Sequence, residues 1–308
     1  MIPLRKKSYT PNDAKKRQLN RDSILMYAFL APSAIVVILM TVVPLAYSFY
    51  LSFFNYLLIR PQERFFTGFN NYIQIFSNRV LRTAVTNTLV YTFSTVIASV
   101  ILGLIIALIV HQLTKGKTFF RIAMFSPMML SPVVVGIVLK FILNNHTGIV
   151  AYFLSLFGLS SPNWFGNPDL AMFSVVMVDV WQWTSYVFII CLAGLESINM
   201  EPVESARIDG ANSLQVFRHI TFPTILPLIQ VAAIFRFIWA FRGFDSIFAL
   251  TRGGPGIATE TMAMSIWRQA FQQFNIGVAS SMSVLMFSIL MILAMFILRK
   301  TFRDEGAS

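Results

Sequence analysis

Long apolar runs alternate with short polar connections along the whole chain. Six runs are long enough to cross a membrane as helices, which takes about 20 residues each, and they lie at 24–49, 84–110, 119–143, 171–195, 220–241 and 276–298. The composition agrees, because 56% of the residues are hydrophobic and only 12% are charged, roughly half the charged share of a soluble domain. The pattern predicts an all-α polytopic membrane protein with six transmembrane helices.

Basic residues flank the apolar runs unevenly, which predicts an orientation. Residues 1–23 carry seven Lys and Arg, and the apolar run after them is too long for a signal peptide. With the N-terminus in the cytoplasm, the inside segments hold 15 Lys and Arg and the outside segments hold seven. The positive-inside rule therefore predicts an N-in and C-in protein, with a basic tail at 1–23, a membrane domain at 24–298 and a second cytoplasmic tail at 299–308.

The net charge of +11 does not indicate nucleic-acid binding, because the basic residues lie beside apolar runs rather than on one folded face. Nucleotide-binding and metal motifs are also incomplete. Gly116-Lys117-Thr118 is the end of a Walker A motif, but His111 stands where its first glycine should be. The predicted topology separates His111 and His219 from His146, so the three histidines cannot share a metal. We therefore expect neither an enzyme nor a bound cofactor or metal.

The longest polar interruption late in the chain, at 199–227, lies between the fourth and fifth apolar runs. Pro202 suits the first turn of a helix, and Gly210 is typical of a helix stop because glycine tolerates left-handed geometry. Asn212 or Ser213 can then cap a second helix. The stretch predicts a short helix, a glycine turn and another short helix outside the hydrocarbon.

This stretch resembles the coupling loop of ABC-importer membrane subunits. The signature stands here as Glu204-Ser205-Ala206, Gly210, Ile220 and Phe222-Pro223, with Ser205 in place of alanine and Phe222 in place of leucine. The rival interpretation is an ordinary cytoplasmic connection without a partner. The resemblance implies that the segment 199–219 contacts an ATPase, and that the coupling residues are Glu204, Ser205, Ala206, Asp209, Gly210, Phe217 and Pro223.

A glycine-rich turn separates the fifth and sixth runs, at Thr251-Arg252-Gly253-Gly254-Pro255. Such a run of Gly and Pro predicts a turn, here in an external loop. With its flanking residues 244–245 and 258–261, the stretch resembles the T-x-G-G-P loop of the larger sugar-permease subunit in maltose-type importers. A generic turn-rich loop is the alternative.

Polar and aromatic residues within the fourth run are candidates for the lining of a substrate pathway. Trp181 and Tyr186 can stack on sugar rings, and Gln182 can bind hydroxyl groups. Spacing alone favours helix packing as their role. The segment also resembles the W-x-x-x-x-Y segment that lines the sugar site of the maltose-type subunit, and this resemblance implies a pathway role for Trp181, Gln182 or Tyr186. Arg242 and Asp245, just beyond the fifth run, complete the expected pathway.

Two opposite charges within the membrane runs form a further candidate pair. A rise of 1.5 Å per residue puts Asp179 about 12 Å and Arg236 about 7–8 Å below the outer ends of their runs. Charged groups at such depths are usually paired or functional, so we expect them to face each other or the pathway. The alternative is that Arg236 reaches the outer headgroups alone and that Asp179 binds a hydroxyl group.

The resemblance covers about 24–298 and implies a type I permease subunit of a carbohydrate ABC importer. It implies a second permease subunit, two ATPase subunits and an extracytoplasmic solute-binding protein as partners. It also implies a sugar substrate, a place in the bilayer of a bacterial or archaeal inner or plasma membrane, and ATP hydrolysis on the separate subunits. A polyol or glycerol phosphoester remains an alternative substrate, and a non-transporting membrane scaffold is the alternative from another class.

Overall fold

The structure is a computed structural model that describes residues 26–305. The predicted basic tail at 1–23 lies outside these residues. The predicted second tail at 299–308 lies partly within the last helix, which ends at Glu305. Whether either tail is cytoplasmic stays a prediction.

Helices form most of the described chain. The long ones are α1 (Met26–Leu51), α3 (Arg79–His111), α7 (Pro168–Glu196), α9 (Ser213–Phe241) and α12 (Ile276–Glu305). The shorter ones are α2 (Asn70–Ser77), α4 (Lys117–Phe125), α5 (Pro132–Ile142), α6 (Ile149–Leu156), α8 (Glu201–Ile208), α10 (Asp245–Leu250) and α11 (Met262–Trp267). A short antiparallel ribbon of β1 (Phe54–Asn55) and β2 (Phe65–Phe66) connects α1 to α2. Five of the predicted runs are thus confirmed as long apolar helices.

The predicted third span at 119–143 is wrong as a single helix. The chain bends by 100° between Lys117–Met129 and Pro132–Ile142. Ser131 has extended backbone angles, as expected immediately before a proline, and Pro132 has no amide hydrogen with which to continue the preceding helix. By length and composition, the described residues therefore hold five candidate spans, or six if the bent pair counts as one. The N-in and C-in orientation depends on that number and stays a prediction.

The predicted second short helix after Gly210 is not a separate element. It is the start of α9, which runs from Ser213 through a π-helical turn at Phe217–Thr221 into the membrane run. Pro223, which lacks an amide hydrogen, is the second residue after that wider turn, and the helix continues past it. The polar segment and the fifth span therefore share one continuous helix.

The centre of the bundle is formed by α3, α7 and α9. Gly103 on α3 allows the closest approach, because a Cβ atom there would lie 2.7 Å from the Cβ atom of Val187 on α7. One apolar cluster joins these helices near Ala107, Phe188 and Ile225. A second lies nearer the start of α3, around Tyr91. Helix α9 begins just after Gly210 and ends before the turn that contains Gly254. We therefore call the two opposite ends of the bundle the Gly210 end and the Gly254 end.

Candidate functional site

Asp179 and Arg236 form a buried ion pair inside the bundle. An Oδ1 atom of Asp179 accepts a hydrogen bond from Nη2 of Arg236, and their side chains are only 5% and 1% exposed. The second carboxylate oxygen accepts a hydrogen bond of 2.7 Å from the Tyr91 hydroxyl. The expected pairing is confirmed. An unpaired charge is costly at this depth, so these contacts favour keeping the three residues together. Since the residues lie on α3, α7 and α9, the triad joins the three helices at one point.

A cavity of about 370 Å³ borders this triad. Two indole rings, those of Trp183 and Trp239, lie in its wall with their centroids 5.0 Å apart. The guanidinium carbon of Arg236 lies 5.8 Å from the Trp183 ring, and no acceptor within residues 26–305 binds its buried Nε atom. The wall therefore offers aromatic faces beside polar groups, which is the lining expected for a small polar ligand with apolar faces.

The structure brings four of the predicted pathway residues to this cavity, namely Asp179, Arg236, Arg242 and Asp245. It places the other three elsewhere. Trp181 is 48% exposed and lies outside the cavity wall. Gln182 is fully buried and donates a hydrogen bond of 2.8 Å to the backbone oxygen of Leu130, at the break before α5. The Tyr186 ring packs 4.9 Å from the Trp239 ring.

The sequence interpretation missed three residues of the site, Tyr91, Trp183 and Trp239. A signal existed for the two tryptophans. Trp183 lies four residues after Asp179, and Trp239 lies three residues after Arg236, so each shares a helix face with a charged residue. Tyr91 offered no comparable signal, because its contact with Asp179 joins residues that are 88 positions apart.

The segment between α9 and α12 packs into the bundle, where an external turn-rich loop was predicted. The turn itself is confirmed, since Gly253 and Gly256 have positive φ values of 87° and 57°. However, Thr259, Glu260 and Thr261 are at most 2% exposed. The start of α10 contributes to the cavity wall. We call residues 244–275 the Gly254 hairpin, and its first residues form part of the cavity wall.

Charge pairing inside the Gly254 hairpin explains how a polar segment can be buried. The Glu260 carboxylate accepts hydrogen bonds from Arg268, at 2.8 and 3.1 Å, and from the Ser265 hydroxyl at 2.8 Å. The hydrogen bond to Glu260 raises the pKa of Arg268 above its ordinary value. Each buried oxygen thus has a donor, as burial requires.

Helix α3 holds the hairpin through two polar side chains. The Asn87 amide nitrogen lies 3.0–3.2 Å from the backbone oxygens of Ile257, Ala258 and Glu260. The next residue, Thr88, accepts a hydrogen bond of 2.8 Å from the backbone N–H of Met262. The start of α3 therefore clamps the hairpin against the bundle.

The Gly210 end has the opposite character. We call residues 199–219 the Gly210 segment. The turn is as predicted, because Gly210 has a φ of 87° and Asn212 forms a capping box with Gln215. Large apolar side chains face outward here: Ile208 is 86% exposed and Leu214 is 73% exposed.

The predicted coupling residues lie along this segment and the start of α9. Glu204, Ser205, Asp209, Gly210 and Pro223 are exposed, whereas Ala206 and Phe217 are partly buried. Nearby, Glu196 at the end of α7 pairs with Lys117 at 2.6 Å and with Arg121, which ties α4 to the bundle. The coupling role of the predicted residues stays a prediction.

Comparisons with known proteins were made for the whole chain. Residues 99–303 match the family model described as "binding-protein-dependent transport system inner membrane component". A probable ABC transporter permease protein, y4oQ of Sinorhizobium fredii, is 36% identical over 270 residues, which is 87% of either chain. The trehalose/maltose transport system permease protein MalF of Thermococcus litoralis is 32% identical, covering 91% of this chain and 94% of its own.

The fold also has a solved counterpart. A bacterial ABC transporter involved in the import of the acidic polysaccharide alginate contains a chain that superposes with a TM-score of 0.81 at 23% identity. The match covers 94% of this chain and 99% of that chain. The same architecture recurs, with a TM-score of 0.82, in a complex of the alginate transporter with its pentasaccharide-bound periplasmic protein. The predicted type I importer permease fold is thus confirmed.

Proposed function

We propose a function on the premise that this chain belongs to the family of binding-protein-dependent transport system inner membrane components. It is a multi-pass membrane protein and the permease component of an ABC importer. We infer that it forms half of the pathway for a sugar that an extracytoplasmic binding protein delivers. Similar permeases named for trehalose and maltose and for arabinooligosaccharides support a sugar as the substrate class.

The cavity beside the Asp179–Arg236 pair is the observation that carries this proposal. Indole rings stack on the apolar faces of sugars, and the polar groups around them can bind hydroxyl groups. Trp183 and Trp239 supply the rings, and Arg242 and Asp245 supply exposed polar groups. A polyol or glycerol phosphoester remains the alternative, since it would use the polar groups without the rings.

The Gly210 segment is proposed as the contact for an ATPase, which places this end in the cytoplasm of a bacterium or archaeon. ATP hydrolysis then takes place on two separate ATPase subunits, and a second, different permease subunit completes the pathway. Exposed Ile208 and Leu214 support this assignment, because large apolar side chains at a protein surface are typical of contact sites. ATP-driven closure of the ATPases would shift the population from outward-facing to inward-facing pathways.

The proposal is tested on the complex purified with its native partners, by sugar uptake into proteoliposomes. Trp183→Ala should lower uptake efficiency about tenfold, which corresponds to roughly 1.4 kcal/mol of lost binding and matches the energy of an aromatic contact. Trp181→Ala is the matched control, because that ring lies outside the cavity. Equal uptake by both variants would place the sugar elsewhere, and recovery of an active homodimer without ATPase would contradict the assembly.

A further inference from the structure

A second cavity, of about 340 Å³, lies beside the Gly254 turn and is separate from the sugar cavity. Its wall combines the end of α5, the 144–166 connection and the Gly254-Pro255 turn. Five of its side chains carry N–H groups, those of Lys140, Asn144, Asn145, Asn163 and Trp164. Nothing in the proposed transport pathway uses them.

Two amide side chains at this cavity have their orientation set by the backbone. The Oδ1 atom of Asn144 accepts hydrogen bonds of 3.0 Å from the backbone N–H groups of His146 and Thr147. The Oδ1 atom of Asn163 accepts one of 2.9 Å from Gly166. Since the oxygens are occupied, the amide nitrogens remain as donors, and no hydrogen bond within residues 26–305 engages them.

The indole of Trp164 adds an unusual feature. Its Nε1 atom is buried and has no acceptor among the described residues. Leaving a buried donor without an acceptor is unfavourable, and such groups are few in folded proteins. Since this atom has no exposed surface, the indole would have to turn toward the cavity before an acceptor there could remove the penalty.

Lys140 supplies a positive charge. It is exposed, and none of the ion pairs between described residues includes it. No Asp or Glu side chain lines the cavity. The Lys140 ammonium and the amide N–H donors of Asn144 and Asn163 together match a carboxylate, which has two oxygens and accepts several hydrogen bonds.

We propose that this cavity receives an aspartate or glutamate side chain of the extracytoplasmic binding protein when that protein docks. The inference rests on the proposed function, which puts the Gly254 end outside the cell. A protein carboxylate fits better than a lipid phosphate. A headgroup could be reached by Lys140 alone, through extension of its side chain, and would leave the donors of Asn163 and Trp164 unused.

The first experiment uses the assembled complex in lipid nanodiscs with its binding protein. A carbodiimide activates a carboxyl group, and the amine form of a lysine in contact with it then displaces a urea to form an amide without a spacer. Mass spectrometry should recover a crosslink between Lys140 and an Asp or Glu of the binding protein. Lys140→Met should abolish this product, and failure to find it with the wild-type complex would overturn the proposal.

The second experiment measures the Kd of the binding protein for the same complex. Lys140→Met should raise it about threefold to tenfold and weaken its salt dependence. Trp164→Phe keeps a ring but removes the N–H group, and should raise the Kd by about threefold or more. Arg82→Met is the control, because Arg82 is an exposed cation at the same end that does not line the cavity.

Two results of the second experiment would overturn the inference. If all three variants bound the binding protein with the Kd of the wild-type complex, the cavity would not be used in docking. A Lys140→Met effect present with anionic lipid and absent with zwitterionic lipid would assign the cation to headgroups. If the wild-type complex failed to bind any binding protein, the proposed function would fail instead, so the two failures are distinguishable.

Discussion

The Gly210 segment and the Gly254 hairpin both contain a glycine turn but have opposite surroundings. Each contains a glycine with a φ of 87°, one proline and several polar residues. The hairpin lies inside the bundle, with Glu260 1% exposed. The Gly210 segment faces outward, with Ile208 86% exposed. A polar stretch between two apolar runs can therefore be part of the core or a surface for contact.

The difference depends on where the polar groups find partners. In the hairpin, Glu260 binds Arg268 and Ser265, and Asn87 on α3 binds the backbone oxygens. In the Gly210 segment the capping box of Asn212 satisfies the helix start locally, and the exposed charges face solvent. We therefore expect changes in the hairpin to lower stability, and changes in the Gly210 segment to lower ATPase contact.

The largest expected effect comes from removing a buried charge. Glu260→Ala leaves the Arg268 guanidinium without its partner, and breaking such pairs costs about 3–5 kcal/mol. Because Arg268 is 31% exposed, we expect the lower end of that range, as a clear fall in the thermal unfolding midpoint in detergent. Glu204→Ala, on the exposed segment, should change stability by no more than about 0.5 kcal/mol. Equal midpoints would refute the contrast.

The two glycines with the same φ provide the sharpest comparison. An added Cβ is strained at both positions, by roughly 1–2 kcal/mol. At Gly210 it would meet nothing within 4 Å, whereas at Gly253 it would overlap the Glu260 carboxylate. Gly253→Ala should therefore destabilise by about 1–3 kcal/mol more than Gly210→Ala. Chemical unfolding of both variants checks this, and equal losses would mean that backbone strain alone decides.

A smaller effect is expected from the clamp on α3. Asn87→Leu removes the donor to the hairpin oxygens, which should weaken local closure by about 1.4 kcal/mol and raise amide exchange at Met262 about tenfold. Thr86→Val is the control, because its hydroxyl bonds only within α3. Hydrogen–deuterium exchange with mass spectrometry measures both, and unchanged exchange at Met262 would show that the hairpin closes without Asn87.

The smallest effect on stability is expected at Leu214. Leu214→Asp alters a side chain that is 73% exposed, so the free energy of unfolding should change by no more than about 0.5 kcal/mol. The affinity of the Leu214→Asp variant for the ATPase should nevertheless fall about tenfold, since burying a leucine at an interface contributes roughly 1.5–3 kcal/mol. Leu214→Met keeps the apolar contact as a control. Normal assembly by Leu214→Asp would remove the segment from the contact.

Features that depend on local pattern could be predicted from the sequence. Apolar runs located the long helices to within several residues, as with 84–110 for Arg79–His111. Gly210 and Asn212 predicted a turn and a cap from their own backbone preferences. The Asp179–Arg236 pair followed from depth and charge, because helical rise converts position into distance.

Features that depend on distant contacts could not be predicted in this way. Asn87 and Glu260 are 173 positions apart, so nothing near Glu260 showed that its surroundings would be polar and closed. The bend before Pro132 was missed because the apolar run continues through it, although the proline itself was a signal. Trp239 was missed because apolar neighbours on both sides made it resemble a residue that faces lipid.

The continuity of α9 has a mechanical consequence. Ser213 and Arg236 belong to one helix and lie about 35 Å apart along its axis at 1.5 Å per residue. A π-helical turn and two prolines lie along it, but the helix is unbroken, so a tilt at one end is passed on to the other. A tilt of about 5° about Ser213 would displace Arg236 by about 3 Å over that length, comparable to the length of a hydrogen bond. A small tilt of α9 at the Ser213 end is thus large enough to separate Arg236 from Asp179, which lie most of the way across the membrane.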